Sequence, residues 1–158
     1  ATAARALTAR PYIDRARVSS PAGRLSVEPH VVVVLWDSLD AGRIREIPSP
    51  RTGKYIELEG APDLVVEVVS DSSVGKDLRR LPPPYAAAGV PELWLVDARG
   101  RGRREIRFEI RILESDGYRP VEPDAEGWLL SPLLGIRLRL RELEPRPGRW
   151  SYRLDRKE

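Results

Sequence analysis

In the first half of the chain the apolar residues fall in short, separated runs rather than at helical spacing. Residues 12–18, 31–36 and 64–69 are bounded by Pro, Gly, Ser and Asp, and each run predicts a strand. Between the second and third runs, residues 37–62 carry Gly42, Pro48, Pro50, Gly53, Gly60 and Pro62. That composition predicts a long excursion between two strands, with at most a short strand at 55–58. After Ser70 the pattern changes: Ser72 and Ser73 are N-cap candidates, so SDSSVGKDLRRL predicts the start of a helix. Pro82, Pro83 and Pro84 interrupt it, because a proline inside a helix costs about 3 kcal/mol. PPYAAAG then predicts a short helix ending at Gly89.

Strands resume beyond that point. PELWLVD is a compact apolar run ending in Asp97, and in REIRFEIRIL the residues Ile106, Phe108, Ile110 and Ile112 alternate with charges, as in a strand buried on one face. Asp116-Gly117 predicts a hairpin turn with a return around 118–121, residues 136–140 alternate again, and residues 149–158 read as a polar tail. The order of strands, helix, strand, hairpin and strand predicts a mixed sheet with helices packed against it, an α/β or α+β fold with a C-terminal antiparallel hairpin.

With 158 residues and 41% hydrophobic content, the chain is expected to form a single domain over residues 1–158. It has no apolar run of membrane-spanning length and no leader pattern, which points to a cytoplasmic protein with no membrane partner. The absence of cysteine rules out disulfides, thiolate metal sites and a cysteine nucleophile, so any metal must sit on oxygen or imidazole. The formal net charge of +3 permits a polyanionic partner, but acids and bases are interspersed. Lys54, Lys76 and Lys157 are the only lysines, so nearly all the positive charge is arginine, whose planar fork suits phosphate. Base composition or thermal adaptation is the better account of that bias.

The informative segment is PDLVVEVVS. A glutamate amid apolar strand residues is costly unless something pairs with it, so Glu67 requires a partner. Asp63, Val65, Glu67 and Val69 share one strand face. Asp63 and Glu67 are roughly 13 Å apart at about 3.3 Å per residue, too far to ligate one ion together. The partner must come from another strand, and EPHVVVVLW offers one whose polar end carries Glu28 and His30. Glu67 with a carboxylate or imidazole from that end would provide donors for a Mg²⁺ or Mn²⁺ site that activates water against a phosphodiester. The alternative for Glu67 is a structural salt bridge to an arginine of the following helix.

The segments APDLVVEVVSDSS, KDLRR and YAAAGVPELWLVDARG, flanked by VEPHVVVV and GYRPVEPDAEGWLLSPLLGIRLRL, resemble the Uma-type restriction endonucleases of bacteria over residues 10–142. The resemblance implies a PD-(D/E)XK nuclease core, in which one strand supplies an acidic metal ligand, the next supplies a glutamate, and a lysine assists the attacking water. On that basis Glu67 matches the family glutamate, and His30, in Pro29-His30, stands where the family has Pro-Asp. Imidazole ligates Mn²⁺ but serves Mg²⁺ poorly. Val69 and Leu81 stand where the lysine is expected, so Lys76, Arg79 and Arg80 are the nearby substitutes unless they are simply solvated helix residues. Asp63, after Pro62, resembles a second Pro-Asp and is either functional or a turn cap. The family's N-terminal helix with its acidic residue is missing or truncated ahead of the first strand.

Two readings follow. In the first, the chain is a metal-dependent endonuclease acting on DNA, with Glu67, Asp63 and Lys76 catalytic, Glu67 and His30 holding metal, and Arg79, Arg80, Arg101 and Arg103 touching phosphate. Paired strand cleavage would favour a homodimer. In the second, it is an inactive nuclease-fold protein that binds nucleic acid or a protein partner. Trp36, Trp94, Trp128 and Trp150 are dispersed and suit packing better than base stacking. A serine triad is set aside, since no G-x-S-x-G elbow accompanies the sole histidine.

Overall fold

A computed structural model of the chain describes residues 9–13, 16–48, 50, 56–69, 79–97, 99, 106–144 and 151–158. The start of the helix expected from Ser72 and Ser73, residues 1–8 ahead of the first strand, and Trp150 lie outside these residues.

The centre is a six-stranded sheet in the order β1-β4-β7-β8-β9-β10. Its strands are β1 (Ala9–Ile13), β4 (Val31–Leu35), β7 (Leu64–Val69), β8 (Glu92–Asp97), β9 (Arg107–Glu114) and β10 (Gly117–Pro120). Only β7 and β8 pair in parallel within this sheet; the other pairs are antiparallel. A parallel pair needs a crossover, and α2 (Pro82–Ala88) lies on it.

Two smaller sheets complete the described fold. One has the order β3-β2-β6-β5, from β2 (Ala16–Ser20), β3 (Leu25–Val27), β5 (Ile44–Pro48) and β6 (Ile56–Gly60). The other has the order β11-β12-β13, from β11 (Leu129–Ser131), β12 (Ile136–Glu142) and β13 (Tyr152–Lys157).

Strand alternation divides the central sheet into two faces, each with its own core. On one face Val32, Val34, Val65, Leu93 and Leu95 pack with Ala16, Val18, Leu25, Ile44 and Leu58 of the second sheet and with Leu81, Tyr85 and Val90 around α2. On the other, Leu64, Trp94 and Ile110 pack with Leu129 and Leu138 of the third sheet. The mixed α/β class expected from the sequence is what is found.

The short helix matches its sequence signals. Three prolines at its start lack only N–H groups that a first turn leaves unpaired anyway, and Gly89 closes it in the left-handed region at φ 84°. Gly23 in the β2–β3 turn lets that turn approach closely, since a Cβ there would lie 2.5 Å from the Pro84 carbonyl and 2.9 Å from the Ala88 Cβ.

Several expectations are revised. The run 12–18 is two strands that belong to different sheets. The strand expected over 31–36 stops at Leu35, and Trp36–Asp40 forms a short helix, α1, inside the expected excursion. The hairpin register pairs Gly117 with Glu114, so its two-residue loop is Ser115-Asp116, one position earlier than expected. The tail expected at 149–158 contains β13, which pairs antiparallel with β12 along its length. Its cross-strand ion pair is Asp155 with Arg141 of β12, while Arg153 meets the same carboxylate from β13 itself. Trp94 and Trp128 are buried, Trp94 edge-on to Phe108 at 5.6 Å, whereas Trp36 is exposed.

The strand PELWLVD carries a feature that its apolar character conceals. Glu92 is 2% exposed, and its oxygens accept from the Trp94 indole N–H (2.6 Å), the Ser131 hydroxyl (2.6 Å) and the Leu133 amide (3.1 Å). This carboxylate joins the central sheet to β11. Glu92→Ala would leave two buried donors and one half-buried amide without an acceptor and is expected to lower stability by about 3 kcal/mol or more. A urea titration measures this, and a loss below about 1 kcal/mol would contradict the assignment.

Candidate active site

β4 and β7 are neighbours with Val31 opposite Val66, and continuing that antiparallel register by one residue sets His30 across from Glu67. The two side chains meet: His30 Nδ1 lies 2.8 Å from Glu67 Oε2. The Val68 backbone nitrogen also lies 3.2 Å from His30 Nδ1, which accepts from that amide only in the tautomer that does not donate to Glu67. The second glutamate oxygen, Oε1, accepts from the Tyr85 hydroxyl at 2.7 Å. Glu67 is 1% exposed, while the His30 side chain is 41% exposed, so the pair runs from the core to the surface.

The sequence argument that Glu67 needs a partner from the next strand is therefore met by His30. The alternative partner, an arginine of the following helix, is not among the contacts found for Glu67. Tyr85 was not anticipated. It is the one side chain of PPPYAAA that carries a polar atom, and only its burial in the structure shows that the hydroxyl needs a partner.

Asp63 sits at the other end of β7 and is 3% exposed. Its carboxylate accepts from the Leu35 amide (2.8 Å), the Ser38 hydroxyl (2.9 Å) and the Arg43 guanidinium. It thereby ties the β4–α1 junction to the start of β7; these partners lie 20 to 28 residues away in sequence, not in the local turn considered for it from sequence. Glu28, the other polar residue at the end of the His30 run, is exposed.

Asp97, one strand over from Val69, is engaged at both oxygens by Arg99, through Nε at 2.8 Å and Nη2 at 2.6 Å. That hydrogen bonding holds the Asp97 carboxyl below the usual carboxylate range. Arg79 and Arg80 are exposed just before α2. Lys76, Arg101 and Arg103 lie outside the described residues. A groove of about 600 Å³ between α2 and the β9–β10 hairpin is lined by Pro82, Ala86, Arg111, Glu114 and Tyr118, but not by Glu67 or His30. Among the described residues, no three His, Asp or Glu side chains are grouped to hold a metal ion, and no helix is long and apolar enough to cross a membrane.

The chain belongs to the Uma2 family, described as "putative restriction endonuclease", whose model matches residues 2–142. Among solved structures it is similar to a crystal structure of a putative nuclease belonging to DUF820 from Anabaena variabilis. The TM-score is 0.51 with 20% sequence identity, over 80% of this chain and 62% of that one. At that identity the likeness shows the fold, and the chain spans less than two thirds of that relative's length. No curated protein matches the sequence. The family assignment and nuclease-type fold read from the sequence are borne out.

The contacts of Asp63 give a stability prediction. Asp63→Ala removes the acceptor for a backbone amide, a hydroxyl and a guanidinium, and is expected to cost about 2–4 kcal/mol in chemical denaturation. A variant as stable as the parent would show that the tie is not needed.

Proposed function

We propose that the chain is a metal-dependent endonuclease that hydrolyses phosphodiester bonds in DNA, with the Glu67–His30 pair as its centre. The carrying observation is the 2.8 Å meeting of a buried carboxylate with a half-exposed imidazole at the end of two paired strands, in a chain of a restriction endonuclease family.

The donor set bears on the ion. One carboxylate oxygen and one imidazole nitrogen, close enough to ligate side by side, fit Mn²⁺; Mg²⁺ prefers an all-oxygen shell. Glu67 and His30 would hold the ion, which when bound supplies charge neutralisation and a more acidic water. Glu67 would do so through the oxygen that faces His30, whose side chain is 41% exposed. No base stands at Val69 or Leu81, so Lys76 is the remaining lysine candidate near the site in sequence. Asp63 acts at one remove by fixing the start of β7, and Arg79, Arg80, Arg101 and Arg103 contact backbone phosphates. The protein acts in the cytoplasm, and cutting both strands favours a homodimer.

A second reading has a specific observation in its favour: both Glu67 oxygens already have partners inside the protein. In that reading the chain is an inactive nuclease-fold protein that binds nucleic acid or another protein.

Plasmid cleavage separates the two. The purified chain is expected to cut with Mn²⁺ more efficiently than with Mg²⁺, and Glu67→Ala, prepared identically, should be slower by about 100-fold or more. His30→Asp, which restores an oxygen ligand, is expected to raise Mg²⁺-supported cleavage by about 10-fold. Equal cleavage by the parent and Glu67→Ala would remove Glu67 from the mechanism. DNA retention in a gel shift without cleavage by either ion would establish the second reading.

A further inference from the structure

We propose that Tyr85 is a positioning residue for the Glu67–His30 pair, its buried hydroxyl fixing the plane of the Glu67 carboxylate so that one oxygen is held toward His30. The inference rests on the reading of that pair as the functional centre, but its geometry stands independently.

A glutamate side chain turns easily about its terminal torsion, which is broad and roughly two-fold. Left to itself, the carboxylate plane would be free to swing away from the imidazole. Here the Tyr85 O–H donates to Oε1 at 2.7 Å while Oε2 lies 2.8 Å from His30 Nδ1, so the two contacts pull on different oxygens and leave one orientation. The strut is rigid because the Tyr85 ring is 0% exposed within the core formed by Val65, Leu93 and Leu95. Its helix is seated in turn: Gly89 closes one end, and the Gly23 turn approaches Pro84 and Ala88 with no space for a side chain. Groups that orient a ligand without touching the reacting atoms typically change affinity or activity by about 10–100-fold when removed.

The purely structural alternative is that the tyrosine satisfies a buried carboxylate and nothing more. The two differ in what His30 senses. His30 is the sole histidine of the chain, so its imidazole ¹⁵N and ¹H resonances are unambiguous. Tyr85 bonds to Glu67 through Oε1 and His30 meets Glu67 through Oε2, so a change at Tyr85 reaches His30 through the carboxylate.

The test uses the metal-free chain and two single-hydroxyl deletions, each checked for folding by circular dichroism. Tyr85→Phe keeps the ring and removes the strut. Tyr118→Phe removes another hydroxyl bond beneath the same sheet face, that to the Val90 carbonyl at 2.7 Å, with no link to Glu67. We expect Tyr85→Phe alone to displace the His30 ring resonances, and Mn²⁺ affinity measured by electron paramagnetic resonance to fall by about 10–100-fold. Unmoved His30 resonances in folded Tyr85→Phe, or equal displacement by both variants, would overturn the proposal. If Tyr85→Phe does not fold, ring-fluorinated tyrosine changes the hydroxyl without removing it and is read the same way. If the parent binds no Mn²⁺ yet Tyr85→Phe still displaces His30, the positioning role stands and the metal reading falls.

Discussion

A carboxylate taken out of water must be met by hydrogen bonds or an opposite charge, and Glu67 imposes that demand in the middle of the apolar strand β7. Its position fixes what must surround it. One neighbour must come from the adjacent strand, so β4 has to lie in the register that sets His30 opposite. Another must come from above the sheet, so α2 has to sit where Tyr85 reaches down. The crossover between β7 and β8, the pairing of β4 with β7 and the packing of α2 on one face are all consistent with this single requirement.

The same device recurs at two further joints. Asp63 ties the start of β7 to the β4–α1 junction and to Arg43 beside β5, and Glu92 ties β8 to β11 and the turn after it. Each acid is nearly inaccessible to water, and each has donors from more than one element. Asp63 and Glu92 are enclosed by amides, hydroxyls, an indole or a guanidinium. Glu67 differs in the chemistry of its outward partner: His30, 41% exposed, is an imidazole with a nitrogen lone pair to offer, whereas the comparably exposed Arg43 beside Asp63, at 38%, is a guanidinium that only donates.

How far the sequence revealed this depended on local contrast. Glu67 stood out against a run of valines, and His30 could be matched to it because the next apolar run ended in polar residues. Leu64–Val69, the alternating β9 and the short helix ending at Gly89 were legible from period and punctuation. Glu92 raised the same question as Glu67 but stood at the edge of its run, where a charge reads as a boundary. Tyr85 was hidden because a tyrosine among alanines and prolines reads as core filling until its hydroxyl is placed. The helix Trp36–Asp40 and the strand Tyr152–Lys157 were missed for one reason: both depend on partners distant in sequence, Asp63 for the first and the arginine row of β12 for the second.

The claim that Glu67 and His30 form one coupled unit is tested most directly by a double-mutant cycle in urea denaturation, using Glu67→Ala, His30→Ala and the double variant. A coupling energy of about 1–3 kcal/mol is expected, with the double variant less destabilised than the sum of the singles. Losses that add within about 0.5 kcal/mol would show that the two residues do not act together, and would contradict a site built on their contact.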